Sequence, residues 1–137
     1  MIERLWLRYR QSVDDLRQAL IGAWRLRRYD DRKSIEAEWA ETYGAEVDGL
    51  IIYHEPEWLS VHVAGGDGRL DSYFGRFEIV EIGEAEGDVA GVVNHLIEAS
   101  SMPELLEGDP GRPFRVSGDN LVLGDERTWR RISERVG

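Results

Sequence analysis

The chain has 137 residues, a net charge of −10, 42% hydrophobic residues and no cysteine. That is enough for one domain with an ordinary core, and it excludes a disulfide framework, a thiolate nucleophile and a sulfur-ligated metal; no run of about 18 apolar residues offers a membrane helix. Lys and Arg against Asp and Glu number 9 and 6 over residues 1–36, 2 and 17 over 37–111, and 6 and 4 over 112–137, so the acidic middle would repel nucleic acid and anionic membrane alike.

Along the first twenty residues Leu5, Tyr9, Val13, Leu16 and Leu20 recur at three or four positions, which predicts a helical segment over 1–20. Ser12 followed by Asp15 reads as a capping box that starts a second short helix before the first strand. The segment is expected to cover one mouth or flank of the domain, with a partner-binding amphipathic helix as the alternative. Charged residues within Met1–Arg8 stand where a secretory signal needs an apolar block, so a cytoplasmic location is expected. Lys33, in Asp30-Asp31-Arg32-Lys33, is the one lysine; a solvated loop would not lower its pKa for Schiff-base chemistry.

From Gly22 onward, short apolar runs alternate with turn residues, the pattern of an all-β meander. Gly22 to Tyr29 is the first strand. Leu50–Tyr53 and Leu59–Val63 flank Glu55-Pro56-Glu57; Ser72–Ile82 and Val89–Ala99 flank the loop Gly83–Asp88; Pro113–Val116 and Leu121–Leu123 flank Ser117–Asn120; Thr128–Ile132 closes the series. Eight strands close a barrel whose interior either fills with side chains or holds one small ligand. The Pro- and Gly-containing stretch Ser101–Gly111 is expected to be a loop at a barrel mouth, where access is controlled. If Gly22-Ala23-Trp24 and Trp129-Arg130-Arg131 lie on the first and last strands, Arg131 stacked on Trp24 would seal one end, with Arg130 as the alternative partner.

In order, Leu20–Leu26, Gly49–Tyr53, Leu59-Ser60-Val61, Tyr73–Glu78, Val93-Asn94-His95 with Glu98, Ser100 and Pro103, Arg112 ahead of Gly118–Leu123, and Trp129-Arg130-Arg131 make the chain similar to the bacterial and fungal lipocalin-like domain family over about residues 18–133. The resemblance implies a calycin-type barrel: all-β, eight-stranded, up-and-down and antiparallel, with the helical segment at 1–20 and the barrel at 21–133 of a single domain spanning 1–137. It also implies a cavity offered to a small apolar molecule, without implying a reaction. The acidic Glu55-Pro56-Glu57-Trp58 turn and Leu96, where a second His can occur, depart from the family pattern.

His95, mid-strand among apolar neighbours, is the leading functional candidate. Its face carries Val93, Ile97 and Ala99 if the strand is regular, and a neutral imidazole there can bond a ligand oxygen or move a proton. The alternative is a core histidine satisfied by a neighbouring group. A dyad with Glu98 would need a bulge between them and is discounted. Tyr53, Tyr73 and Phe77 are expected to line the cavity, Tyr53 also being a candidate proton donor or acceptor, although aromatic walls equally describe a filled core. Arg112 and Arg76 could each reach into the cavity to pair with a ligand carboxylate or enolate, or face out and be neutralised by Glu; the outward reading is expected for Arg76, and both stay open for Arg112.

His54 and His62 would both face outward, and no metal site is expected. Gly65-Gly66-Asp67-Gly68 is a turn, with no phosphate loop, dinucleotide fingerprint or nucleophile elbow in the chain, so no cofactor is expected. The resulting expectation is a barrel that binds a small apolar or aromatic molecule. Two alternatives stay open: a cofactor-independent cyclase or isomerase of a polyketide- or terpenoid-like intermediate using His95 or a Tyr, and a filled barrel acting as a protein-interaction module. Neither nucleic acid nor membrane is an expected partner, and homo-oligomer formation is left open.

Overall fold

The computed structural model describes residues 13–83 and 87–137. Leu5, Tyr9 and the Ser12 end of the capping box lie outside the described residues, as do residues 84–86 of the long turn. Residues 13–20 form a helix, α1. The strands are β1 Gly22–Asp31, β2 Ala40–Glu41, β3 Asp48–His54, β4 Trp58–Ala64, β5 Leu70–Ile82, β6 Val89–Ser100, β7 Gly111–Ser117, β8 Asn120–Leu123 and β9 Trp129–Arg135, with a 3₁₀ turn at Pro103–Leu106.

From β3 to β9 each strand pairs antiparallel with the next, β1 pairs with β3, and β1 also pairs with β9. Eight strands thus close an up-and-down barrel, and the two-residue β2 hangs on the end of β1 at Asp30 and Asp31. Alternation sets the faces: on β4, Leu59, Val61 and Val63 are buried while His62 is exposed. The Glu55-Pro56-Glu57 turn pairs Tyr53 with Leu59 and Leu50 with His62. His54 and His62 are both exposed, His62 sharing hydrogen bonds with the hydroxyls of Ser60 and Ser72.

One irregularity re-aims β6. Gly75 pairs with Ile97 but Phe74 with Ala99, so Glu98 is the extra residue of a bulge. Gly75 makes room for it, since a Cβ there would sit 2.0 Å from the Leu96 carbonyl oxygen. The bulge removes Ala99 from the inward face expected for it and sets Ser100 opposite Tyr73. Glu98 points outward to Arg76, 3.6 Å away, so the bulge is present without producing a His95–Glu98 dyad.

The two halves of the interior differ. Trp24, Tyr53, Leu59, Phe77, Val93, Phe114, Val116 and Leu121 fill one half, and α1 covers that end through the buried Leu16 and Leu20, Leu16 packing against Gly91. The other half, toward Asp31, Val63 and Trp129, is left partly open beneath the Ser101–Pro110 connection.

The pairing of Trp24 with Arg131 is corrected by the register. Because β1 and β9 run antiparallel, Trp24 lies opposite Arg135, while Arg131 lies opposite Tyr29, near the other end of the seam. The Arg135 guanidinium sits 4.1 Å from the Trp24 ring centroid and donates to the carbonyls of Ile21 (2.9 Å) and Ala19 (2.7 Å) as α1 runs into β1. The Trp24 indole donates to the Leu20 carbonyl at 2.9 Å. Arg131 stacks instead on Tyr29 at 3.5 Å, and Arg130 on Trp39 at 4.1 Å. The barrel also runs to Arg135, past the expected end at 133.

Arg135→Ala removes a stacked cation and two charge-assisted hydrogen bonds together, an expected loss of about 3 kcal/mol and roughly 8 °C in Tm. Arg27→Ala, which breaks only an exposed 3.4 Å pair with Glu134, should stay within about 0.5 kcal/mol of the parent. Urea and thermal denaturation of the two variants check the contrast.

Candidate functional site

The open half of the barrel contains a cavity of about 400 Å³. Leu26, Ile51, Val61, Val63 and Leu123 give it an apolar wall from four strands, and Met102 and Leu105 of the connection between β6 and β7 stand at its mouth. The expectation that the Ser101–Gly111 stretch lies at a mouth holds. Polar groups enter from Tyr29, Asp71, Tyr73, His95, Asp109, Arg112 and Arg131.

The expected ligand residues divide at His95. Tyr73, His95 and Arg112 line the cavity; Tyr53 and Phe77 do not and belong to the packed half beneath it. Tyr53 stands with its ring 5.0 Å from Phe77, edge to face, and 5.6 Å from His95. As wall residues for a ligand in this cavity, Tyr53 and Phe77 are therefore corrected: they build its floor from below.

His95 is 2% exposed and both of its ring nitrogens are occupied. Nε2 lies 2.6 Å from the Tyr53 hydroxyl and Nδ1 lies 2.8 Å from the Tyr73 hydroxyl. The three side chains come from β3, β5 and β6, and the pairing of Phe77 with His95 sets Tyr73, four residues earlier on β5, two repeats of the pleat closer to the mouth. Burial, reinforced by the Arg112 charge, holds the His95 imidazole well below its ordinary value of 6.5. Burial pushes the Tyr53 hydroxyl well above 10, with Tyr73 adding and Arg112 opposing. Tyr73 is pushed up to about 12 by burial, again opposed by Arg112. All three groups are consequently neutral at physiological pH.

The cations of the cavity differ in their commitments. Arg131 donates to the Asp30 carbonyl and to the Asp31 carboxylate at 2.9 and 3.1 Å. Arg112 spends Nη1 on the backbone carbonyls of Asp109 (2.6 Å) and Gly111 (3.4 Å) and, among the described residues, has no carboxylate within 4.0 Å. Of the two cavity carboxylates, Asp71 receives Tyr43 at 2.6 Å, Arg69 at 3.0 Å and Ser101 at 3.3 Å; Asp109 accepts its own loop's Gly111 N–H at 2.9 Å. Arg76 faces outward to Glu98, as its position predicts. Among the described residues no three His, Asp or Glu cluster to hold a metal ion.

Tyr29 and Asp71 are cavity residues that sequence reasoning does not single out, and Arg131 is singled out there only as a closing residue for Trp24. Tyr29 closes the first strand as read, and only the β1–β9 register shows that Arg131 reaches it.

Because the folded protein resists protonating His95 while the unfolded chain does not, the unfolded state binds more protons below 6.5, and stability falls as pH falls through that window. The sign follows from a depressed cationic group: its neutral form is the one that packs. Between pH 7 and pH 5 this group should therefore lower the unfolding free energy. His95→Gln should lower stability at neutral pH and flatten that dependence, as measured by urea melts at successive pH values. No family model, no curated protein and no solved structure matches this chain.

Proposed function

We propose that this protein is a lipocalin-like container that holds a small apolar or aromatic molecule inside its barrel. The observation that carries the reading is the cavity itself: about 400 Å³ between aliphatic walls, above a floor of packed aromatics and below a mouth loop. That volume falls within the roughly 300–1,000 Å³ usual for small-molecule sites. A core meant only for stability would lose favourable contacts by leaving such space next to Val61, Val63 and Leu123, which counts against a filled barrel acting through its surface alone.

A cofactor-independent isomerase is the second reading, favoured by one feature. The Tyr73 hydroxyl faces the cavity and is backed by His95, so a ligand enolate could receive a proton there. Neither His95 nor Tyr53 would meet the substrate as the reacting group, since both nitrogens of His95 are engaged and Tyr53 lies under the floor. Turnover of an enolisable aromatic ketone that disappears in Tyr73→Phe while binding persists would move the reading from container to enzyme.

The container reading is tested with N-phenylnaphthylamine, a neutral probe whose fluorescence rises in apolar surroundings. The wild-type protein should bind it saturably, at about one probe per chain. Val63→Trp fills the cavity from β4 and should weaken the probe by at least about tenfold, which is roughly 1.4 kcal/mol, while leaving the far-ultraviolet dichroism of the sheet unchanged. An unfilled barrel that ignores the probe would remove the reading.

A further inference from the structure

Tyr53 settles the direction of the buried hydrogen bonds. Its hydroxyl is inside the packed half of the barrel, the residue is 1% exposed, and among the described residues the only partner of that hydroxyl is His95 Nε2. If Nε2 carried the imidazole proton, the Tyr53 O–H would have nowhere to go, a buried donor left unsatisfied at a cost of about 1–3 kcal/mol. The Tyr53 O–H therefore donates to Nε2. A neutral imidazole has one N–H, so that proton is on Nδ1, which donates to the Tyr73 oxygen. The Tyr73 O–H is then released from the protein and turns into the cavity that Tyr73 lines.

Arg112 adds a second donor at the same place. It lines the cavity together with Tyr73 and His95, its Nη1 is used by loop carbonyls, and it stands close enough to the Tyr73 hydroxyl to oppose the rise of that group's pKa by hydrogen bonding as well as by charge. Neither cavity carboxylate is paired with it: Asp71 is matched by Arg69 and Tyr43, and Asp109, exposed at the mouth and bonded to the Gly111 N–H, makes no ion pair with Arg112 within 4.0 Å.

Resting on the container reading, we propose that the polar end of the cavity is a donor site for an oxygen anion, so that the ligand is an apolar or aromatic body carrying one carboxylate, sulfonate or enolate head. Arg112 supplies the countercharge and the Tyr73 hydroxyl a neutral hydrogen bond whose direction is imposed from beneath by Tyr53 and His95. A guanidinium beside a hydroxyl donor recognises such a head far better than it does an amine or an unsubstituted hydrocarbon. The sense of the hydrogen-bond chain is the part that matters: with the opposite tautomer Tyr73 would present a lone pair and select for donors.

The test uses two probes with one skeleton, anilinonaphthalene sulfonate and the neutral N-phenylnaphthylamine, titrated by fluorescence at neutral pH. Wild-type protein should bind the sulfonate at least about tenfold more tightly than the neutral compound. Arg112→Gln should abolish that preference, with the neutral probe held within about twofold, which also reports an intact cavity. Tyr73→Phe should cost the sulfonate a smaller factor, about three- to tenfold, and Tyr53→Phe should weaken the sulfonate as well, because the ring proton is no longer fixed on Nδ1. Equal affinities for the two probes in the wild type, with the neutral one still lost in Val63→Trp, would overturn the head-group inference and leave the container reading standing. Sulfonate binding that Val63→Trp does not change would place the anion on the outer surface and likewise overturn it. Binding of neither probe would remove both readings together.

Discussion

Pairing between β1 and β9, from Trp24 opposite Arg135 to Asp31 opposite Trp129, turns a meander of hairpins into a closed barrel. Without it the sheet would keep two open edges and its inward face would be half wet. The seam is also where the charged side chains are most organised. Arg135 is stacked on Trp24 at one end; at the other, Arg131 lies on Tyr29 and the buried Asp30 accepts from both Arg28 and Arg130 at 2.9 Å. Burial raises the Asp30 carboxyl, but those two hydrogen bonds outweigh it and hold the group below its ordinary value. The seam thus joins the two ends of the chain by stacking and ion pairing as well as by backbone hydrogen bonds, and the helix α1 is fixed to it through the carbonyls that Arg135 holds.

That attachment accounts for the asymmetry of the interior. The helix arrives at the Trp24 end, so Leu16 and Leu20 complete a core already dense with Trp24, Phe77, Tyr53 and Phe114. The opposite end is spanned by the β6–β7 connection, whose 3₁₀ turn contains no buried residue, and by the β1–β3 connection, whose buried Tyr43 packs on Tyr29 and bonds Asp71. His95 stands at the boundary. A histidine buried to this extent is stable only as the neutral ring with both nitrogens matched, and the matching groups lie on opposite sides of the boundary, Tyr53 in the core and Tyr73 in the cavity. Rigidity in the packed half is in this way passed, as the orientation of one hydroxyl, to the half that is open.

Much of this architecture is legible in the sequence, because two-residue alternation and turn residues depend on neighbours close in the chain. The eight barrel strands, the Tyr53–Leu59 register and the outward Arg76 all follow from such local signals. What escapes depends on pairing between distant segments. Choosing among Arg130, Arg131 and Arg135 as the partner of Trp24 requires knowing how far β9 runs, and β9 continues past Ile132 through a Ser-Glu-Arg stretch without apolar alternation. The β6 bulge has its cause on another strand, at Gly75. β2 has two residues and no pattern to find. The Tyr53–His95–Tyr73 chain is assembled from positions 42 and 22 residues apart, and each residue was separately identifiable as a candidate while their contact, and the separation of Tyr53 from the cavity, were not.

The uneven charge of the sequence acquires a spatial meaning through the same closure. The two segments richer in arginine, before residue 37 and after 111, become neighbours across the β1–β9 seam, while the acidic stretch between them supplies β4, β5 and β6 on the far side. Most of those carboxylates point to water, where ions screen them over roughly 8 Å at physiological salt. Arg112 is partly buried at the cavity and makes no ion pair within 4.0 Å among the described residues, so its charge acts there more strongly than a distant excess of screened anions. A net charge of −10 therefore does not set the local field at the cavity: the long-range field belongs to the screened surface, and the field at the polar end belongs to the groups that line it.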